Sequence, residues 1–299
     1  MIRRILNFLL RKVDHIRKKF LLILINIKLK NQSHNYFRVY DGCNELCLPN
    51  YLRHHMQYDI LGINAPYFLP RGIDFKDRKV ITIGLSDDIS FEIELINKGA
   101  LVYSFDPSEI AKNHVETLKF NVQNNLKTYV AKKRFENCYY ELKSQQDAMR
   151  LHFFPHGLSS KTQNQEIWLS DKGTFSTIKG NHYSTKGKIQ LLNWEDLLKM
   201  AGLSEEDNIL LIKMDIEGGE YEAIPPILSS KMNVYIFCIE LHFFNQRIKN
   251  ILSLIDLFKM HGYILYFQDG VECTFIRKDF LRGMISKAYS KYQPVALNQ

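Results

Sequence analysis

Acidic residues gather at one point of this chain. Leu210-Leu211-Ile212-Lys213-Met214 is a nearly continuous apolar run, and Asp215, Glu217 and Glu220 follow it around Gly218-Gly219. Such a run is the pattern of a parallel strand covered on both faces. Ligands of open α/β sheets bind outside the carboxyl ends of such strands, so carboxylates there can hold a cofactor or move a proton. The same acids also suit the first turn of a helix, where the dipole favours negative charge. On this segment alone both readings stand.

Other residues of the right type fall at similar positions. Glu240 and His242 end the run Phe237-Cys238-Ile239-Glu240-Leu241-His242, and alternation puts them on one face of an extended segment. A base or ligand pair is one reading, and a structural histidine is the other. Thr82-Ile83-Gly84-Leu85-Ser86-Asp87-Asp88 reads as the exit of a first strand, with Gly84 permitting a tight turn and close approach of a ligand. It is not a full dinucleotide glycine fingerprint. Asp106 comes 22 residues after Gly84, at the end of a second strand. An acid there can accept hydrogen bonds from a ribose diol; an Asp106-Pro107 turn is the plainer alternative. A third exit is Phe154-Pro155-His156-Gly157-Leu158. Two or three carboxylates without ligand spacing are a weak metal signal, and no metal is expected.

The elements that must position these residues alternate regularly. Strands are expected at 79–84, 101–105, 151–154, 208–214 and 234–240, with a closing hairpin at 263–267 and 272–276. Helices are expected at 90–98, 108–121, 193–201, 218–229 and 245–261, with Ser108 as an N-cap. Residues 159–188 read as a polar insertion of loops or a hairpin. This order implies an α/β fold whose sheet is mostly parallel and ends in an antiparallel hairpin. Residues 31–78 read as an irregular lead-in or cap, and 281–299 as a C-terminal tail.

The 299 residues are 45% hydrophobic and 12% aromatic, enough for a large core. The net charge of +8 sits wholly in residues 1–30, where nine basic residues face Asp14 alone. A neutral body argues against nucleic acid as a partner. Within residues 1–30, Ile2, Leu6, Leu9, Val13, Ile16, Phe20, Ile23 and Ile27 form one helical stripe. The segment is expected to be a basic amphipathic helix. It could lie on an anionic membrane surface, pack on the body, or serve as a signal or anchor for an exported form. A cytoplasmic, peripheral-membrane location is the first expectation. The five cysteines are too sparse for a disulfide framework, and Cys238 and Cys273 read as buried thiols.

Taken together, these residues resemble the FkbM-type methyltransferases over roughly Lys79 to Phe280. Leu211-Ile212-Lys213-Met214-Asp215-Ile216-Glu217-Gly218-Gly219-Glu220 is similar to that family's LLKxDxEGxE signature, and Tyr103-Ser104-Phe105-Asp106-Pro107-Ser108 to its aromatic-acid-proline element. The resemblance implies a Rossmann-like, seven-stranded methyltransferase sheet. It also implies S-adenosylmethionine as cofactor and Asp106 at the cofactor ribose. The expected cofactor residues are Gly84, Ser86, Asp87, Asp106, Pro107, Gly157, Leu158, Asp215 and Glu217. The expected catalytic residues are His242, Glu240 and Asp215, with His242 as base because its ordinary pKa lies near neutrality. The acceptor is expected to be a hydroxyl of a small molecule, sugar or lipid-like compound. Thr82 stands where the family commonly has an acid, and Asp88 where a second glycine is expected. Asp87 or Asp88 is the candidate replacement toward the methionine amine. Two other classes stay open: a nicotinamide oxidoreductase, and a catalytically degenerate fold acting as a membrane-surface interaction module.

Overall fold

The computed structural model describes residues 58–62, 66–86, 88–126, 128–130, 138–142, 144–170, 175–176, 183–242, 247–269 and 271–290. The basic segment 1–30 and Asp87 lie outside them.

In chain order the first strands are β1 (Tyr58–Leu61), β2 (Tyr67–Pro70), β3 (Lys79–Ile83), β4 (Leu101–Phe105), β5 (Thr128–Val130), β6 (Cys138–Tyr140), β7 (Leu151–Phe154) and β8 (Gly157–Leu158). They are followed by β9 (Gln163–Ser170), β10 (Phe175–Ser176), β11 (Tyr183–Leu192), β12 (Asn208–Met214), β13 (Asn233–Glu240), β14 (Tyr263–Asp269) and β15 (Glu272–Arg277). The helices are α1 (Ser90–Asn97), α2 (Glu109–Gln123), α3 (Gln145–Ala148), α4 (Trp194–Met200), α5 (Glu220–Ser229), α6 (Ile248–Met260) and α7 (Lys278–Ser290).

Seven strands form one sheet in the order β14-β15-β13-β12-β3-β4-β7. From β13 to β7 every pairing is parallel, and β15 runs antiparallel between β13 and β14. The sheet is Rossmann-like. The chain builds outward from β3 through β4 to β7, then crosses back to lay β12 on the other side of β3. That reversal makes the β3–β12 boundary a topological switch point, where the connections leaving the two strands lead to helices on opposite faces and a crevice opens.

Both faces are covered, which is why the central strands read as unbroken apolar runs. One core joins Ile81, Ile83, Ile212 and Met214 to Trp194 and Leu197 of α4, Ala223 and Ile227 of α5, and Ile251 and Phe258 of α6. The other joins Val80, Val102 and Leu211 to Phe91 and Leu95 of α1, Val115 and Leu118 of α2, and Leu281 of α7. The buried side chains of β12 alone contribute on the order of 10 kcal/mol of transfer free energy, at about 2 kcal/mol each.

The structure adds order where the sequence suggested little. Within the segment read as an irregular lead-in, β1 and β2 pair antiparallel. Tyr67 and Leu69 join the second core, and the Phe68 ring stacks on Phe267 with centroids 4.0 Å apart. Residues 278–290, partly read as a tail, form α7. The polar insertion is a long antiparallel hairpin of β9 and β11, edged by β10, with β8 parallel to β11. Among the described residues no helix is long and apolar enough to cross a membrane.

Candidate active site

β3 ends because Gly84 takes φ +85°. A Cβ there would sit 1.7 Å from the backbone oxygen of Asp215. Only glycine lets the ends of β3 and β12 come this close. The approach is locked by Asp215 N donating to Ile83 O at 2.9 Å and by Lys213 Nζ donating to Gly84 O.

Asp106 ties the loop after β3 to the start of α2. It is 3% exposed. Its Oδ2 accepts from Leu85 N (2.6 Å) and Ser86 N (2.8 Å), and its Oδ1 from Ser108 N (2.7 Å) and Ser108 Oγ (2.5 Å). Ser108 Oγ in turn accepts from Ala111 N and caps α2. A carboxylate offers about four acceptor positions, and protein donors fill that number here. Ribose hydroxyls expected at Asp106 would therefore have to displace one of them. Asp88 Oδ1 accepts from Ser90 N at 2.9 Å, a local turn bond at the entry to α1.

A cavity of about 280 Å³ opens at this edge of the sheet. Its wall includes Gly84, Ser86, Asp106, Pro107, Gly157, Leu158, Asp215 and Glu217. Every cofactor residue expected from the sequence is thus in one wall, apart from Asp87. The wall also contains Ile189 and Leu191 from the hairpin, Glu222 of α5, and Arg247. Its size is at the lower end for a small-molecule site, roughly 300–1,000 Å³.

Glu240 and His242 stand outside this wall and reach it through Asp215 and Glu217. His242 Nδ1 lies 2.9 Å from Glu220 Oε1. Its Nε2 lies 3.6 Å from each of Asp215 Oδ1, Glu217 Oε2 and Glu240 Oε1. Glu220 is fully buried, and the same Oε1 accepts from Ile216 N (3.1 Å) and Gly218 N (3.2 Å). Tyr221 Oη donates to the His242 carbonyl at 2.6 Å, and Arg247 donates to Gly218 O at 3.2 Å. Glu217 holds φ +55° just before α5, an uncommon conformation for a residue with a side chain.

These surroundings move the titrations. Burial works against a charged His242, but the Glu220 hydrogen bond and the carboxylates of Glu220, Asp215 and Glu240 outweigh it and push the ring up to about 9. Burial, reinforced by Asp215, pushes Glu240 up to about 8. Burial raises Glu217 as well, with His242 opposing. Two expectations change. The premise of a near-neutral His242 gives way to a ring pushed up to about 9, because the Glu220 hydrogen bond and the charges of Glu220, Asp215 and Glu240 hold its proton. Glu217 is not held acidic by a helix dipole, because α5 starts three residues later at Glu220.

Sequence reasoning did not single out Tyr221, Glu222 or Arg247. The partners of Tyr221 and Arg247 lie on other elements, Glu222 is known only from its place in the cavity wall, and no local spacing announces any of them. Cys238 and Cys273 are buried free thiols, raised by burial.

A covered, mostly parallel sheet with an acid-rich crevice at its switch point defines an α/β protein of Rossmann-like architecture. The family model described as the methyltransferase FkbM domain matches residues 78–265. The chain belongs to the FkbM methyltransferase family, which carries methyl transfer at the level of the family. No curated protein and no solved structure gives a match.

Proposed function

We propose that this chain transfers a methyl group from S-adenosylmethionine to a hydroxyl of a small molecule, sugar or lipid-like acceptor. The observation that carries this reading is the sharing of Asp215 and Glu217 between the crevice at the switch point and the cluster around His242.

The donor set of the wall fits the cofactor by charge. With the Asp106 carboxylate committed to protein donors, Asp215, Glu217 and Glu222 face one cation, Arg247. S-adenosylmethionine carries two positive groups and one carboxylate, the complementary pattern. A dinucleotide pyrophosphate is anionic and would meet repulsion here, which disfavours the oxidoreductase reading. Pro107, Leu158, Ile189 and Leu191 offer the apolar wall an adenine needs.

When bound, the cofactor supplies a methyl group activated by positive sulfur. The protein's part is to bind, orient and manage a proton. Asp215 joins the two halves of the site, so an acceptor hydroxyl held there stands next to the cofactor crevice. That hydroxyl must lose a proton as its oxygen attacks, and the Asp215–Glu240–His242 cluster is the nearest sink. Tyr221 and Arg247 fix the backbone around the cluster. The basic segment 1–30 would bring the enzyme to an anionic membrane surface, which suits a lipid-like acceptor.

The test is a screen with methyl-labelled S-adenosylmethionine against hydroxyl-bearing sugars, lipids and small molecules. Transfer should rise between pH 7 and 9, as protons leave Glu240 and His242. Asp215→Asn should lower turnover by roughly 10²-fold or more, the scale for losing acid–base function. Transfer indifferent to Asp215, Glu240 and His242 together would place the acceptor elsewhere. The committed Asp106 carboxylate and Thr82 favour one rival, a degenerate fold that binds membrane surfaces without catalysis. Its mark would be vesicle binding with no cofactor binding.

A further inference from the structure

On the Nε2 side of His242 the carboxylates stand at ion-pair rather than hydrogen-bond distance. One donor atom from each of Asp215, Glu240 and His242 lies within 4.8 Å of the others. His242 Nε2 sits 3.6 Å from three carboxylate oxygens at once, those of Asp215, Glu217 and Glu240. Charge-assisted hydrogen bonds of this kind run about 2.7–2.9 Å. Two ligands of one divalent cation, each about 2.0–2.2 Å from it, stand roughly 3.0–3.6 Å apart. The His242 Nε2 distances to Asp215 and Glu240 fall at the upper end of that second range, and all three donor atoms lie within 4.8 Å of one another.

The support behind the ring has the same meaning. Glu220 fixes Nδ1 at 2.9 Å and leaves Nε2 turned to the carboxylates. A carboxylate on the far nitrogen of an imidazole is the usual way to orient a metal-ligating histidine. Glu220 itself is fully buried and bound to the Ile216 and Gly218 amides. The three donors come from three places: the end of β12, the end of β13 and the residue two beyond it. Glu240 is placed by β13 itself, Asp215 by its bond to Ile83 O at the end of β3, and His242 by Glu220.

We propose that Asp215, Glu240 and His242 bind one divalent cation, with manganese the best match. Two carboxylates and one imidazole suit a borderline metal that accepts both oxygen and nitrogen, and they leave room for water or substrate oxygen. Calcium, which wants six to eight oxygen ligands, is a poorer match. On the methyltransferase reading, on which this role rests, an acceptor hydroxyl would take an open position on the cation. Coordination makes a hydroxyl more acidic. Its proton would pass to Glu217, a cavity carboxylate outside the ligand set whose Oε2 lies 3.6 Å from His242 Nε2, as the oxygen–carbon bond forms and the carbon–sulfur bond breaks. His242 would then act as a ligand and not as the base.

The cation site is tested without any acceptor. The full chain, stripped of metal by chelation, is titrated with Mn²⁺, and pulsed electron paramagnetic resonance records nitrogen coupled to the bound ion. One equivalent of Mn²⁺ with an imidazole nitrogen signature is expected. His242→Ala should erase that signature, and Glu240→Gln should weaken binding at least tenfold. Glu220→Gln leaves all three ligands in place and should still weaken binding, by about 10–100-fold. Glu116→Gln, on the exposed face of α2, should change nothing. Failure of a well-folded chain to bind Mn²⁺, or binding with no nitrogen coupling, would overturn the proposal. S-adenosylmethionine is titrated against the same preparation. Loss of cofactor binding with Mn²⁺ retained would sink the methyltransferase reading and leave the cation site standing.

Discussion

Glu220 concentrates much of the site's order on one oxygen, which accepts two backbone amides and faces His242 Nδ1. Its charge is also a main reason that His242 is pushed up to about 9. Glu220→Gln keeps an oxygen for the amides but removes the charge. The His242 titration, followed by NMR without added metal, should then fall from near 9 toward the ordinary histidine value; an unmoved titration would show that the other carboxylates carry the effect. Asp106 is a second such residue. Asp106→Ala would strand the Leu85, Ser86 and Ser108 amides, each costing about 1–3 kcal/mol when buried without a partner. We expect a loss of at least about 3 kcal/mol in denaturant unfolding, together with weaker cofactor binding. Weaker binding at full stability would restore Asp106 to the ribose. The sequence could mark Asp106, Asp215 and Glu217, because each follows a strand. It could not show that the Asp106 carboxylate is already committed, since its donors lie 20 and 21 residues earlier in the chain as well as two later.

At the scale of elements, the strands of the central sheet were readable because two covered faces force apolar runs, and glycines and acids mark their ends. β4, β7 and β12 occupy the expected residues, and the other helices and strands shift by a few residues at their ends. The β1–β2 pair was not readable. It is short, and its burial comes from packing against the distant closing hairpin rather than from its own alternation. α7 was missed because Gly283 interrupts a short amphipathic pattern. One helix carries an unusual group. Glu92 of α1 is fully buried beside Thr82 and Lys213, and burial pushes its carboxyl from 4.5 up to about 7. The folded state therefore holds this proton more tightly than the unfolded chain. Its contribution is complete below about pH 4.5 and is lost as pH rises through about 7, up to about 3 kcal/mol. Glu92→Gln should flatten this part of the stability profile between pH 5 and 8. A parent protein with level stability over that window would contradict the assignment.

At the scale of the molecule, the positive charge excess and the site lie in separate regions of sequence. The excess of +8 falls in residues 1–30, while the family match spans 78–265. If that basic segment meets an anionic surface, removing it should abolish binding to anionic vesicles and leave cofactor binding unchanged. Binding by the intact chain should weaken with salt. Vesicle binding that survives the deletion would move the contact to the body. The body's own claim is narrower: the crevice between β3 and β12 is the cofactor site. Isothermal titration of the full chain with S-adenosylmethionine tests it most directly. One cofactor per chain is predicted, with binding also of S-adenosylhomocysteine and none of NAD. A folded chain that binds neither S-adenosylmethionine nor S-adenosylhomocysteine would contradict the account.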